Sequence, residues 1–212
     1  MNNTKLKFRL FPLIIALFVT PILGAGPYGE LVYADNEEEV IVVRDGEEEG
    51  AVIGMELTGG DVLVTGNSTA ELSFEHIETA MHVDNETTVR IDELIESADN
   101  PEENRTGLDL INGRLRAIVD FITDNVVEVA TDTGTAGVRG TDFGIQADDE
   151  GVIELGVITG MVEFTNRRTG ASATLEDGEG IDVLDPFATE IEVVEWDDER
   201  LEDFFEPLGG MP

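Results

Sequence analysis

His76 and His82 are the only two imidazoles in the chain. The paired helical ligands of a zinc site stand four residues apart, so a spacing of six does not describe a metal site, and both rings are expected on the surface. Serine hydrolysis needs a nucleophile beside a base, yet none of Ser68, Ser73, Ser97 or Ser172 sits in a nucleophile-elbow setting. Asp142-Phe143-Gly144 spells the metal-binding triplet of protein kinases, but no glycine-rich phosphate loop with its lysine and no His-Arg-Asp element accompanies it. With 47 Asp and Glu residues, no carboxylate pair stands out for glycosidase work. Asp148-Asp149-Glu150 and Asp197-Asp198-Glu199 offer oxygen ligands without EF-hand spacing and read as solvated turns. Cysteine is absent, which removes disulfides, thiolate chemistry and a lipid-anchoring cysteine. The expectation is a non-enzyme, with no catalytic residue, no metal site and no cofactor.

Charge narrows the partners. Twelve basic residues against 47 acidic ones leave a formal net charge of −35 in 212 residues. Lys5 and Lys7 are the only lysines, and a phosphate backbone has to be met by clustered Lys and Arg, so nucleic acid is excluded as a partner. Either the acidity is a generic solubilising surface, or it is an adaptation to high salt, where self-repulsion is screened. The absence of lysine after the first ten residues favours the second.

Three basic residues, Lys5, Lys7 and Arg9, precede an apolar run from Leu10 to Leu23, the arrangement of a secretory leader. The run falls short of the ~20 residues that span a bilayer, and Pro12 and Pro21 interrupt it. Two cleavage sites stay open, Ala25 and Ala34, with Ala34 favoured by its small-x-small pattern. If the leader is not removed, it becomes the chain's one contact with the membrane. Residues 1–34 are therefore read as a signal peptide and 35–49 as an acidic lead-in.

Beyond it, short β-branched runs alternate with glycine and Asx turns: Val40 to Val43, Ala51 to Leu57, Asp61 to Thr65 and Thr69 to Phe74. Ile91, Leu94 and Ile95 fall at helical spacing and predict a short helix near residues 91–98, ending before Asn100-Pro101. From Gly107 the strand pattern resumes, with Asn112-Gly113 read as a turn between Leu108 to Ile111 and Leu115 to Ile122. Three stretches echo one another: Leu57 to Val62, Leu110 to Leu115 and Val157 to Val162. They read as repeated strand, glycine turn, strand. Residues 185–212 hold a last strand, then Leu201, Phe204, Phe205 and Leu208 along one face of an amphipathic helix. That face either covers one end of the β core or receives a partner. The fold class is all-β, a sandwich or roll of short strands.

Val129 to Phe143 contains Thr131, a small-residue segment, and then Gly137-Val138-Arg139-Gly140-Thr141-Asp142-Phe143. This stretch resembles the signature of the FecR domain family. The glycine-Asp turn at Gly59-Gly60-Asp61 and the strand pair around Gly160 are similar to neighbouring parts of that family's pattern, so the resemblance covers residues 50–184. It implies a FecR-like β domain outside the cytoplasm, of the kind best known from iron-citrate signalling regulators, where a cytoplasmic segment touches a sigma factor. Here the apolar run begins at Leu10, and the expectation is a stand-alone exported protein. Within the signature, Gly137 and Gly140 are expected to permit close approach or positive φ, and Arg139 to brace carbonyls or a carboxylate. The functional expectation is a periplasmic or secreted binding or scaffold module recognising an envelope protein or glycan. Its alternatives are a signalling regulator of an extracytoplasmic sigma factor or transporter, and a hydrolase of envelope polymers.

Overall fold

The computed structural model describes residues 28–95, 105–120 and 126–211, with the backbone alone at His76. In chain order the strands are β1 Gly29–Ala34, β2 Val40–Arg44, β3 Glu47–Gly50, β4 Glu56–Leu57, β5 Val62–Thr65, β6 Ala70–Phe74, β7 Thr79–Val83 and β8 Thr88–Ile95. The second half has β9 Arg105–Val119, β10 Val126–Ala130, β11 Gly134–Val138, β12 Asp142–Ala147, β13 Ile153–Thr159, β14 Val162–Asn166, β15 Ser172–Leu175, β16 Glu179–Val183 and β17 Val193–Glu195. A helix, α1, follows at Asp198–Phe205.

The strands make two sheets. Sheet A runs β4-β1-β6-β7-β9-β12-β13-β16-β17. Sheet B runs β3-β2-β5-β8-β9-β10-β11-β14-β15. Among the described residues only β9 and β10 pair in parallel. The long β9 belongs to both sheets: residues up to Asn112 pair with β8, and Gly113 onward pair with β12. Alternation explains the packing, since successive side chains of a strand point to opposite faces. Leu31, Leu72, Met81, Phe143 and Leu155 from sheet A meet Val42, Leu63, Val89, Leu108 and Phe164 from sheet B in one buried core. Each such side chain contributes about 1.5–3 kcal/mol by leaving water.

The three echoing segments turn out to be corners rather than hairpins. Gly60, Gly113 and Gly160 have φ of +98°, +98° and +103°, and each stands where the chain crosses from one sheet to the other. At Gly113 a Cβ would also lie 2.6 Å from Thr87 Cα. Only glycine satisfies both conditions. Asn112-Gly113, expected as a turn, is therefore a kink inside one continuous strand.

Three further expectations change. The helix near residues 91–98 is strand β8 as far as Ile95; the remainder lies outside the described residues. Its helical spacing comes from a β-bulge between Ile91 and Glu93. The extra residue stretches the inward repeat from two to three, and Ile91 and Leu94 both end up opposite inward positions of β9, Leu108 and Thr106. The acidic lead-in 35–49 is not outside the domain, for β2 and β3 lie in it and Val40 and Val42 are buried in the core. Residues 29–34, placed in the leader, form β1, which pairs with β4 and β6 and buries Leu31 completely. The rest of the expected leader lies outside the described residues.

Candidate binding surface

Most of the Val138 to Phe143 element is committed to the fold. Val138 and Phe143 are buried in the core. Gly140 takes φ +53° at the corner where β11 of sheet B gives way to β12 of sheet A. Thr141, fully buried, stitches this corner to the next one: its hydroxyl lies 2.9 Å from the carbonyl oxygens of Arg139 and Met161 and accepts the Met161 N–H at 3.3 Å. Upstream, Thr131 Oγ1 accepts the Gly134 N–H at 3.0 Å and closes the turn between β10 and β11.

Asp142 reaches further. Both its oxygens accept from Arg116, at 2.7 Å each, and Arg116 Nη1 donates to Leu208 O at 3.3 Å and Gly210 O at 2.6 Å. One guanidinium thus fixes the carboxy-terminal segment to sheet A. Arg114 repeats the grip, donating to Phe204 O at 2.9 Å with its guanidinium 5.0 Å from the Phe204 ring.

The sheet is shaped to take this segment. Gly144, Gly156 and Gly180 lie side by side on β12, β13 and β16, leaving a trench across three strands. A Cβ at Gly144 would lie 2.7 Å from the Phe205 ring and 2.8 Å from that of Phe204, and one at Gly156 or Gly180 would overlap Trp196. Asp197 caps α1 by accepting the Arg200 N–H at 2.9 Å, and the helix, with the 3-10 turn after it, brings Leu201, Phe204, Phe205 and Leu208 to the trench, where all four are buried. Of the two uses expected for this apolar face, covering the β core or receiving a partner, the geometry has it packed on the chain's own sheet.

Two signature positions have no such duty. Gly137 lies in extended backbone, and the nearest atom to an added Cβ would be 3.9 Å away; neither close approach nor positive φ requires glycine there. Arg139 is exposed and braces nothing: no hydrogen bond or ion pair holds it among the described residues. Sequence reasoning assigned both to structure. Around Gly137 the outer face of sheet B forms a groove of about 400 Å³, lined by Glu128, Thr135, Glu163, Thr165 and Arg167.

Residues 61–163 match the FecR protein family. Over that stretch the chain is similar to a FecR domain. No curated protein sequence matches the chain. Two crystal structures of a candidate anti-sigma factor from Parabacteroides distasonis ATCC 8503 share the fold, each with a TM-score of 0.51, at 19% and 18% identity. In both, the likeness covers 64% of this chain and 59% of that one. The folded unit is larger than the family match, since β1 to β4 precede it and β15 to α1 follow it.

Elsewhere the ionisable groups do structural work. Burial opposes ionisation of Asp61, but bidentate bonds from Arg44 at 2.9 and 2.8 Å and the Thr58 N–H at 2.7 Å outweigh it and hold its pKa below the usual carboxylate range. Asp84 goes the other way, raised by burial that the Asn85 N–H and Arg114 only partly offset. His82 faces Glu71 across β6 and β7 at 3.1 Å. No cluster of metal-ligating side chains occurs among the described residues. A second cleft of about 410 Å³, beside α1, is lined by Arg114, Glu154 and Arg200. Arg200 is occupied there, bonded to Glu154 and Asp182 and stacked 3.9 Å over Trp196. Among the described residues no helix is long and apolar enough to cross a membrane.

Proposed function

We propose that this chain is a non-catalytic binding module of the cell envelope, exported by the segment that begins with Lys5, Lys7 and Arg9. The observation that carries this reading is the outward position of Gly137 and Arg139 inside an element whose other members are consumed by the fold. An arginine held in extended solvent exposure, in a protein this acidic, is a surplus donor rather than a brace. The side chains around it offer hydrogen bonds and shape, the requirements of recognition. The second reading, signalling at the envelope through an extracytoplasmic sigma factor or a transporter, is favoured by the FecR domain and by the fold shared with the candidate anti-sigma factor.

Both readings meet one test. The chain and its Arg139→Glu variant are immobilised and exposed to envelope extract in molar salt. The expected result is a partner retained by the first and lost by the second, with equal melting temperatures. Equal retention by both would remove Arg139 from recognition. A retained sigma-factor regulator or outer-membrane transporter would select the signalling reading.

A further inference from the structure

The register of sheet B arranges its outer face in three rows. In the first, acids and glycines alternate across neighbouring strands: Glu93 of β8 is opposite Gly107 of β9, which is opposite Glu128 of β10, then Gly137 of β11 and Glu163 of β14. Thr174 of β15 ends the row. At about 4.8 Å per strand the row is about 24 Å long, with a carboxylate at every second strand. Neither glycine is needed by the fold. A Cβ at Gly107 would meet nothing nearer than 3.6 Å and one at Gly137 nothing nearer than 3.9 Å, and neither has a left-handed φ.

On one side of this row, β11, β14 and β15 bring Thr135, Thr165 and Ser172 into line. None of these hydroxyls, nor Glu93, Glu128 or Glu163, has a hydrogen-bond partner among the described residues. On the other side stand Arg105, opposite Val126, and Arg139, which follows the Val138 paired to Val127. These two arginines lack an ion pair among the described residues, are exposed, and each stands two residues along the chain from a glycine of the first row. A strip with glycine at two of its strands thus offers acceptors, hydroxyls and guanidinium donors that have no ion pair or side-chain hydrogen bond among the described residues.

Charge selects the occupant. In a chain of net charge −35, a basic peptide would be drawn to much of the surface, whereas on this face it would also meet two arginines that lack an ion pair among the described residues. A ligand with both donors and acceptors, no net charge and an extended shape uses all three rows. We propose that the outer face of sheet B around Gly137 binds a neutral, extended polysaccharide chain lying across the strands. Its hydroxyls donate to Glu128 and Glu163 and accept from Arg105 and Arg139, and its sugar rings lie over Gly107 and Gly137. The inference rests on the binding-module reading and specifies its ligand.

The test titrates the full chain calorimetrically, in molar salt, with neutral hexasaccharides of glucose, mannose and N-acetylglucosamine, each separately, and with a Lys/Arg-rich decapeptide. Gly137→Leu fills the floor and Glu163→Ala removes an acceptor; both positions are on the outer face, and melting curves verify that the variants fold. The expected result is saturable binding of at least one hexasaccharide, weakened about tenfold or more by either variant, a loss of about 1.4 kcal/mol. Failure of all three sugars, binding unaffected by both variants, or binding of the decapeptide in their place would each overturn the proposal. If the sugars fail while Arg139→Glu still abolishes retention of an envelope partner, the polysaccharide falls and the binding module stands.

Discussion

The single tryptophan of the chain rests against backbone where no side chain exists, and this makes it a reporter on a contact one methyl group can break. A Cβ at Gly156 or Gly180 would overlap the Trp196 ring, and crowding of this kind in a packed site costs about 1–3 kcal/mol. Gly156→Ala is expected to lower stability by that amount and shift Trp196 emission to longer wavelength; unchanged emission would show that the trench has slack. Asp142 and Arg116 are paired at low exposure, where removal of one partner strands the other. Asp142→Asn is accordingly expected to destabilise by about 3 kcal/mol and to loosen the segment around Leu208, seen as faster amide exchange there. Asp61 and Asp84 titrate with opposite signs. The lowered pKa of Asp61 gives stability that is present above its unfolded value of 3.8 and lost as pH falls through the folded value. The raised pKa of Asp84 gives a contribution that is full below 3.8 and lost as pH rises through its folded value. Unfolding measured on both sides of 3.8 should show a shallower acid loss in Asp61→Asn and a smaller decline toward neutrality in Asp84→Asn. Parallel curves for both variants and the parent would contradict the assignments.

Strand identity was legible wherever alternation ran undisturbed, as in β5, β6 and β10, because there the two-residue period and the burial agree. It failed where one residue changes the phase. The bulge at Asp92 gave β8 a three-residue inward spacing that reads as a helix, and the φ of Gly113 let β9 pass through an Asn-Gly pair that ordinarily closes a hairpin. The echo around Gly60, Gly113 and Gly160 was visible, but its meaning as a corner needed the sheet assignments. Of the site, the Val138 to Phe143 element was legible as a motif, whereas its division between core, corner and open surface was not: the side a strand residue faces depends on which sheet it joins. The carboxy-terminal helix was legible, and the trench that receives it was not, since Gly144, Gly156 and Gly180 are adjacent only through pairing. The amino-terminal strand bears on processing. Cleavage after Ala34 would remove β1 and uncover Leu31's site in the core, whereas cleavage after Ala25 leaves β1 whole. If the proposed leader is removed, the product is expected to begin at Gly26, by intact mass or amino-terminal sequencing; a start at Asp35 would mean that the sandwich forms without its first strand.

At the scale of the molecule, a sandwich with one core carries a net charge of −35. Among the described residues six arginines, Arg44, Arg90, Arg114, Arg116, Arg168 and Arg200, lie within ion-pair distance of carboxylates, far fewer than the acids they could offset. Repulsion among exposed carboxylates closer than a Debye length, about 10 Å at 0.1 M salt, should weaken the folded state in dilute buffer. The melting temperature is therefore expected to climb from low to molar salt, by about 2–4 °C for each kcal/mol of repulsion relieved. A flat response would assign the acidity to solubility alone. The Val138 to Phe143 element and the neighbouring Gly137 divide into positions the fold consumes and positions it leaves open, and stability measures that division without knowledge of any ligand. Chemical unfolding of Thr141→Val, Asp142→Asn, Gly137→Leu and Arg139→Ala should show the first two losing about 1–3 kcal/mol and the last two staying within about 0.5 kcal/mol of the parent. If Gly137→Leu or Arg139→Ala loses as much as Thr141→Val, those residues serve the fold, and the binding surface proposed for sheet B has no foundation.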